Sequence, residues 1–166
     1  MDMSKINRVS LSYFENNKCI KTYEQLIACG VLTYDNTMLN DYVYCNYCSI
    51  YIITYGEITI FINNKQYSLH RKDIAFLGST DLIKIISMSD DCEIISLFIS
   101  LDFMSSIFAY NNVLLNIWFS LKKRLDPYIA LDDHYFEILQ ILIINIINDM
   151  DNERKNKEFW IINKIT

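Results

Sequence analysis

Between Tyr55 and Leu77 the chain reads YGEITIFINNKQYSLHRKDIAFL, and apolar residues recur at every second position: Ile58, Ile60 and Ile62, then Tyr67 and Leu69, then Ile74 and Phe76. Successive residues of a strand point to opposite faces, so this alternation predicts three short antiparallel strands. Asn63 and Asn64, which tolerate left-handed backbone angles, and the charged corner His70-Arg71-Lys72-Asp73 supply the two turns. Upstream, LIACGVLTY at 26–34 and CSIYIITYGE at 48–57 read as strands, separated by a loop through Asp35, Asn36 and Asn40. Both are rich in residues that suit a pleated surface, and Gly56 breaks the second run. Downstream, the loop GSTD at 78–81 leads into LIKIISMS at 82–89, and the turn SDD at 89–91 leads into CEIISLFISL at 92–101. Roughly seven short strands with turn signals at this spacing predict a β-sandwich or barrel.

After residue 101 the period changes. DFMSSIFAY at 102–110 opens with a helix-capping Asp102 and predicts a short helix. Residues 111–125 have no resolvable period, and Pro127 punctuates the chain. LDDHYFEILQILIINIINDMDNE at 131–153 is the clearest helix, with Asp132 or Asp133 placed to accept from the free N–H groups of its first turn. Tyr135, Leu139, Leu142, Ile146 and Met150 make one apolar stripe, widened by Phe136, Ile143 and Ile147, so that more than one neighbour is expected for this helix. The final NKEFWIINKIT opens a second amphipathic segment whose Phe159, Trp160, Ile162 and Ile165 have nothing after them to pack on. A longer natural chain is the expectation.

Composition narrows the picture. A chain of 166 residues, 52% hydrophobic and 21% charged, is a single domain or a domain with an appendage. At this length folding buries ~70% of the unfolded chain's surface, and no metal or disulfide is needed as a staple. A net charge of −5 argues against a free-standing nucleic-acid binder. The densest basic run, Lys122-Lys123-Arg124, reads as solvated surface. The N-terminus has no secretory h-region, and the apolar run from Ile141 to Ile144 is far shorter than the ~20 residues of a membrane span. Five cysteines without a signal peptide point to reduced thiols in a cytoplasm.

Candidate chemistry is sparse. A catalytic metal on a barrel wants about three imidazole or carboxylate ligands converging, and the chain has only His70 and His134, so no metal or other cofactor is expected. Cys45-Asn46-Tyr47-Cys48 has the spacing of a zinc or redox pair but lacks a second pair and leads into a strand, which favours two small buried hydrophobes. No nucleophile elbow, phosphate-binding glycine loop or zinc-protease motif occurs. Asp90/Asp91 and Asp132/Asp133 read as turn and cap. The residues point away from catalysis.

The run YGEITIFINNKQYSLHRKDIAFLGSTDLIKIIS resembles the N-terminal regulatory domain of AraC-type transcription factors, a cupin-like barrel followed by a helical dimerisation element. Gly56 matches the family's first glycine, Asn63 and Asn64 its hairpin turn, Arg71 and Asp73 its corner, and Ile74 to Leu77 the following strand. EIISLFISLDFMSSIF at 93–108 is similar to the closing strand and short helix. Lys72 stands where the family usually has glycine, GSTD lacks its proline, and Leu82, Ile83 and Ile85 replace polar contacts of sugar-responsive relatives, which argues against a sugar. The resemblance implies a mainly β fold with C-terminal α-helices: an arm at 1–25, a cupin-like double-stranded barrel at 26–101, a dimerisation region at 102–153, and a linker from 154 toward a DNA-binding domain. It implies a homodimer, a small-molecule effector, and DNA contacted only through that further domain. The alternating face of Tyr51, Ile53 and Tyr55, with Phe61, Tyr67 and Phe98, is the candidate ligand wall. Leu139, Leu142, Ile143 and Ile146 are the candidate dimer anchors. Alternatives are a metal-dependent cupin enzyme, an isomerase or oxygenase, and a structural adaptor on the same fold.

Overall fold

The computed structural model describes residues 6–37, 41–110 and 127–150. The basic run at 122–124, the unassigned segment 111–125 and the C-terminal segment from 154 lie outside the described residues. In chain order the strands are β1 (Ile6–Val9), β2 (Ile20–Tyr23), β3 (Ile27–Thr33), β4 (Tyr42–Cys45), β5 (Tyr47–Tyr55), β6 (Glu57–Ile62), β7 (Lys65–His70), β8 (Asp73–Leu77), β9 (Leu82–Met88), β10 (Glu93–Ser100) and β11 (Tyr128–Ala130). The helices are α1 (Leu101–Tyr110) and α2 (Asp133–Met150).

The predicted strands, the first helix and the start of the second form within a residue or two of their expected limits, and the second is described as far as Met150. Alternation could not reveal β1, β2, β4 and β11, because strands of three or four residues show at most two alternations. A front sheet has the order β1-β4-β9-β6-β7 and a back sheet the order β11-β8-β5-β10-β3-β2. Apart from the parallel pair β1–β4, neighbours run antiparallel. The result is the mainly β, cupin-like barrel with a C-terminal helix that the sequence predicts. The arm expected at 1–25 contributes β1 to the front sheet and β2 to the back sheet.

The back sheet is buried on both faces, so its strands read as nearly unbroken hydrophobic runs. On β10, Ile94 and Phe98 point between the sheets, whereas Ile95, Leu97 and Ile99 point to the helices. On β5, Tyr47, Tyr51 and Ile53 face inward and Cys48 and Ile52 face the helix layer. The polar groups carried into this interior are satisfied: Ser96 Oγ donates to the Gly30 carbonyl at 3.0 Å and Thr54 Oγ1 to that of Glu93 at 2.9 Å.

α2 starts as its sequence dictates, with the Asp132 carboxylate accepting from the Tyr135 N–H at 2.9 Å. At α1 the cap is Ser100, whose Oγ accepts from the Phe103 N–H at 3.1 Å, and Asp102 sits inside the first turn instead. α2 lays Phe136, Ile143, Ile146 and Met150 on the back sheet, with Leu139 and Ile147 beside them. The apolar stripe expected from sequence is thereby rotated, since Tyr135 is 59% exposed and Leu142 36% exposed.

The corner at 70–73 ties barrel to helix. Asp73 accepts from the His70 N–H at 2.8 Å and closes the turn, in which Lys72 takes a positive φ of 77°. This is the position where the resembled family has glycine, the residue that adopts such angles without steric cost. Lys72 is held there by its N–H to the Ile53 carbonyl at 2.9 Å, by its own carbonyl accepting from Leu131 at 2.9 Å, and by an ion pair with Asp133. The Arg71 guanidinium lies 5.3 Å from the centre of the Phe136 ring. Lys72→Gly is expected to stay within about 1 kcal/mol of the parent, because relief at positive φ offsets added freedom of the unfolded chain. Lys72→Val is expected to lose about 2 kcal/mol, since a β-branched residue is an outlier at that angle. Urea denaturation of both variants measures the contrast.

Candidate functional site: an apolar cavity between the sheets

The two sheets do not close completely on each other. They leave a cavity of about 70 Å³ walled by Leu32, Val43, Ile83 and Ile85 and by the rings of Phe14, Tyr47, Tyr51 and Phe98. Phe98 is the hub, stacked on Phe14 at 4.3 Å and edge-on to Tyr47 at 5.4 Å and Tyr51 at 6.0 Å. Phe14 reaches it from a 3-10 segment, Leu11–Asn16, which also buries Leu11. Thr37, Asp41 and Lys84 are the further polar residues of its lining.

The phenol and thiol groups on the wall are neutral. The Tyr47 hydroxyl is hydrogen-bonded to Cys45, and burial, with Cys45 and Tyr51 nearby, drives its pKa well above the ordinary phenol value. Burial likewise raises Tyr51, whose hydroxyl is hydrogen-bonded to Ser49, and raises the Cys45 thiol. At neutral pH the buried wall therefore offers uncharged hydroxyl and thiol groups, with Asp41 and Lys84 as the charged residues of the lining, an environment for a largely apolar guest.

Sequence reasoning placed the ligand wall on six residues, and the structure distributes them. Tyr51 and Phe98 line the cavity, and Ile53 is buried in the same interior just outside its lining. Tyr67 packs at the margin of that core, edge-on to Tyr128 at 6.0 Å. Tyr55 is 58% exposed, because the register of β5 against β10 shifts between Glu93 and Ile94, and the side chain beyond the shift turns outward. Phe61 faces away from the interior, since Ile60 and Ile62 on either side of it point in. Sequence reasoning missed Tyr47, Val43, Ile83, Ile85 and Phe14. The first four continue the alternation of β5, β4 and β9; nothing in the pattern marks Phe14.

Of the dimer candidates, Ile143 and Ile146 are buried against the chain's own back sheet and Leu139 packs partly on the same cluster, while Leu142 remains on the outer side. Their shared stripe is split because the helix uses one half of its wide apolar face to cover the barrel.

The other sequence candidates sit apart from the cavity or from one another. His70 Nε2 lies 3.5 Å from Glu57 and Nδ1 3.9 Å from Asp73, on a side chain 62% exposed. Cys45 points between the sheets and Cys48 into the helix layer, so the two thiols occupy opposite faces and do not converge. Among the described residues no three His, Cys, Asp or Glu side chains are grouped to hold a metal ion, and no helix is long and apolar enough to cross a membrane.

Cys92 is buried beside the Gly56 turn. Burial first, then the carboxylates of Asp91, Glu57 and Glu93, push its thiol from 9.0 to about 11. The folded protein thus holds this proton more tightly than the unfolded chain, and the stability it contributes is complete below pH 9 and lost as the pH rises to about 11. Thermal melts are expected to fall across that window and to fall less steeply in Cys92→Ala.

No sequence-family model matches the chain, and no curated protein sequence matches it. Solved structures do. A structure of apo ToxT K231A from Vibrio cholerae is 15% identical with a TM-score of 0.52, covering 84% of this chain and 52% of that one. The chain shares the ToxT fold. ToxT bound to (E)-4-(8-methylnaphthalen-1-yl)but-3-enoic acid superposes with a TM-score of 0.48 at 15% identity, over 82% of this chain and 53% of that one. Clostridium difficile EutQ matches with a TM-score of 0.37 at 20% identity, over 48% of this chain and 60% of that one. The chain thus spans about half the length of ToxT and 60% of EutQ.

Proposed function

We propose that this chain is the effector-sensing and dimerising part of an AraC-type helix-turn-helix regulator, cytoplasmic and non-catalytic, with DNA contacted through a further domain. The observation that carries this reading is the largely apolar cavity between the sheets, bordered by a back sheet whose other face carries α2. The fold shared with ToxT, an AraC-type regulator, supports it. In this division the barrel, 26–101 together with β1, β2 and the Phe14 segment, senses, and 102–153 pairs with a second copy. The exposed Tyr135, Ile138, Ile141 and Leu142 on the outer side of α2 are the surface for that pairing.

At about 70 Å³ the cavity is smaller than the ~300 Å³ of a typical ligand pocket. An effector of more than a few atoms must therefore displace part of the wall, and Phe14, on its short 3-10 segment, is the ring with the least sheet structure behind it. A thermal-shift panel of benzene, indole and short-chain alcohols tests the site. A ligand at about a hundred times its Kd contributes about 2.7 kcal/mol, or roughly 5–10 °C in a protein of this size. Leu32→Phe, which fills the cavity, should abolish the shift. A panel without any shift would remove the sensing role.

A further inference from the structure

The charged residues of the cavity stand together at one end of it. Asp41 and Lys84 are the two charged residues of the described lining. β4 and β9 pair through Tyr44 with Leu82 and Val43 with Ile83, so Asp41, which precedes Val43 by two, and Lys84, which follows Ile83, lie beyond the same end of that ladder. Cys45, with the tyrosine and thiol groups, is at the opposite end of β4, about 13 Å along the strand from Asp41. β9 continues to Met88 after its pairing with β4 has stopped, which leaves the front sheet open on that side of Lys84 among the described residues. The cavity reaches the surface there. Asp41 is exposed, and Thr37 and Lys84 are half-buried.

Opposite charges at one mouth would be expected to neutralise each other, yet among the described residues no ion pair joins Asp41 to Lys84. Lys84 Nζ is held instead 4.8 Å from the centre of the ring of Tyr42, the residue that follows Asp41. The mouth therefore presents a cation and a carboxylate separately, in front of a chamber walled by Phe14, Tyr47, Tyr51 and Phe98. A carboxylic acid entering here would answer Lys84 and be repelled by Asp41, and an amine would meet the reverse. A guest with both charges at one end and an apolar body answers both.

We propose that the cavity takes a small apolar α-amino acid as its zwitterion, with its carboxylate toward Lys84, its ammonium toward Asp41 and its side chain toward Phe98. This rests on the sensing role proposed above and names the class of effector. The cavity volume of about 70 Å³ points the same way, since it suits a side chain of a few carbons. A long-chain acid needs far more room and leaves Asp41 unanswered, and a polyol has no apolar body to set against the ring wall.

The probes are leucine, isopentylamine, isocaproate and isopentyl alcohol, which carry similar branched skeletons with both charges, one, the other or neither. Isothermal titration of the intact chain should give leucine an affinity about tenfold above each of the other three. Asp41→Asn should bring leucine down to the level of isocaproate, and Lys84→Met should bring it down to that of isopentylamine. The binding that remains in each variant would show that the barrel is folded and that the lost charge made the difference. The proposal is overturned if isopentylamine or isocaproate matches leucine on the intact chain, or if either variant keeps the full leucine affinity. Binding of isopentyl alcohol at least as tight as that of leucine removes this proposal and leaves the sensing role standing. No binding by any of the four removes both.

Discussion

Phe98→Ala is expected to lower stability by about 3–5 kcal/mol, the range for truncating a fully buried aromatic residue. Phe98 is 1% exposed and is the ring on which Phe14, Tyr47 and Tyr51 converge. Its removal leaves a void continuous with the existing cavity and takes away the partner that holds Phe14 in place. At roughly 2–4 °C per kcal/mol for a chain of this length, the melting temperature should fall by about 6–20 °C. The same variant separates packing from sensing: benzene or indole should restore part of the loss by entering the enlarged space. A melt that moves by only 1–2 °C would mean that the interior rearranges freely and that the ring cluster is not its organising contact.

Ile146→Asp and Leu142→Asp, one helical turn apart, should give opposite phenotypes. Ile146 is 2% exposed and rests on the back sheet with Phe136, Ile143 and Met150. A carboxylate buried among those apolar side chains should cost about 3–5 kcal/mol, seen as a collapse of the urea midpoint. Leu142 is 36% exposed on the outer side, so Leu142→Asp should leave the melt within about 1 kcal/mol and shift the chain to a monomer by light scattering. Identical outcomes for the two would remove either the docking of α2 on its own barrel or the pairing surface.

What was legible in the sequence was whatever repeats. Strands of five or more residues showed their period, and the left-handed turn at Asn63 (φ 55°) and the break at Gly56 (φ 64°) were marked by residues that favour such angles. The wide apolar face of α2 was legible too, but not how it is shared, since a helix lists its apolar residues without saying which meet the chain's own sheet. Two of the six proposed wall residues, Tyr55 and Phe61, point away from the interior, Tyr55 for a related reason. Inward direction along β5 is a matter of parity, and one register shift near Thr54 reverses it for Tyr55. Phe14 lay beyond reach because a six-residue 3-10 segment has no face pattern, and its role comes only from the long-range contact with Phe98.

β5 and β10 form a diaphragm one backbone thick. Tyr51 and Phe98 press on it from the cavity, while their immediate chain neighbours Ile52, Leu97 and Ile99 press from the other side, where α2 rests. Swelling of the cavity by an occupant has no intervening layer to absorb it: the side chain displaced on one side and the side chain supporting the helix on the other belong to adjacent residues. An occupant that moved Tyr51 or Phe98 would act on the immediate chain neighbours of the residues on the helix side.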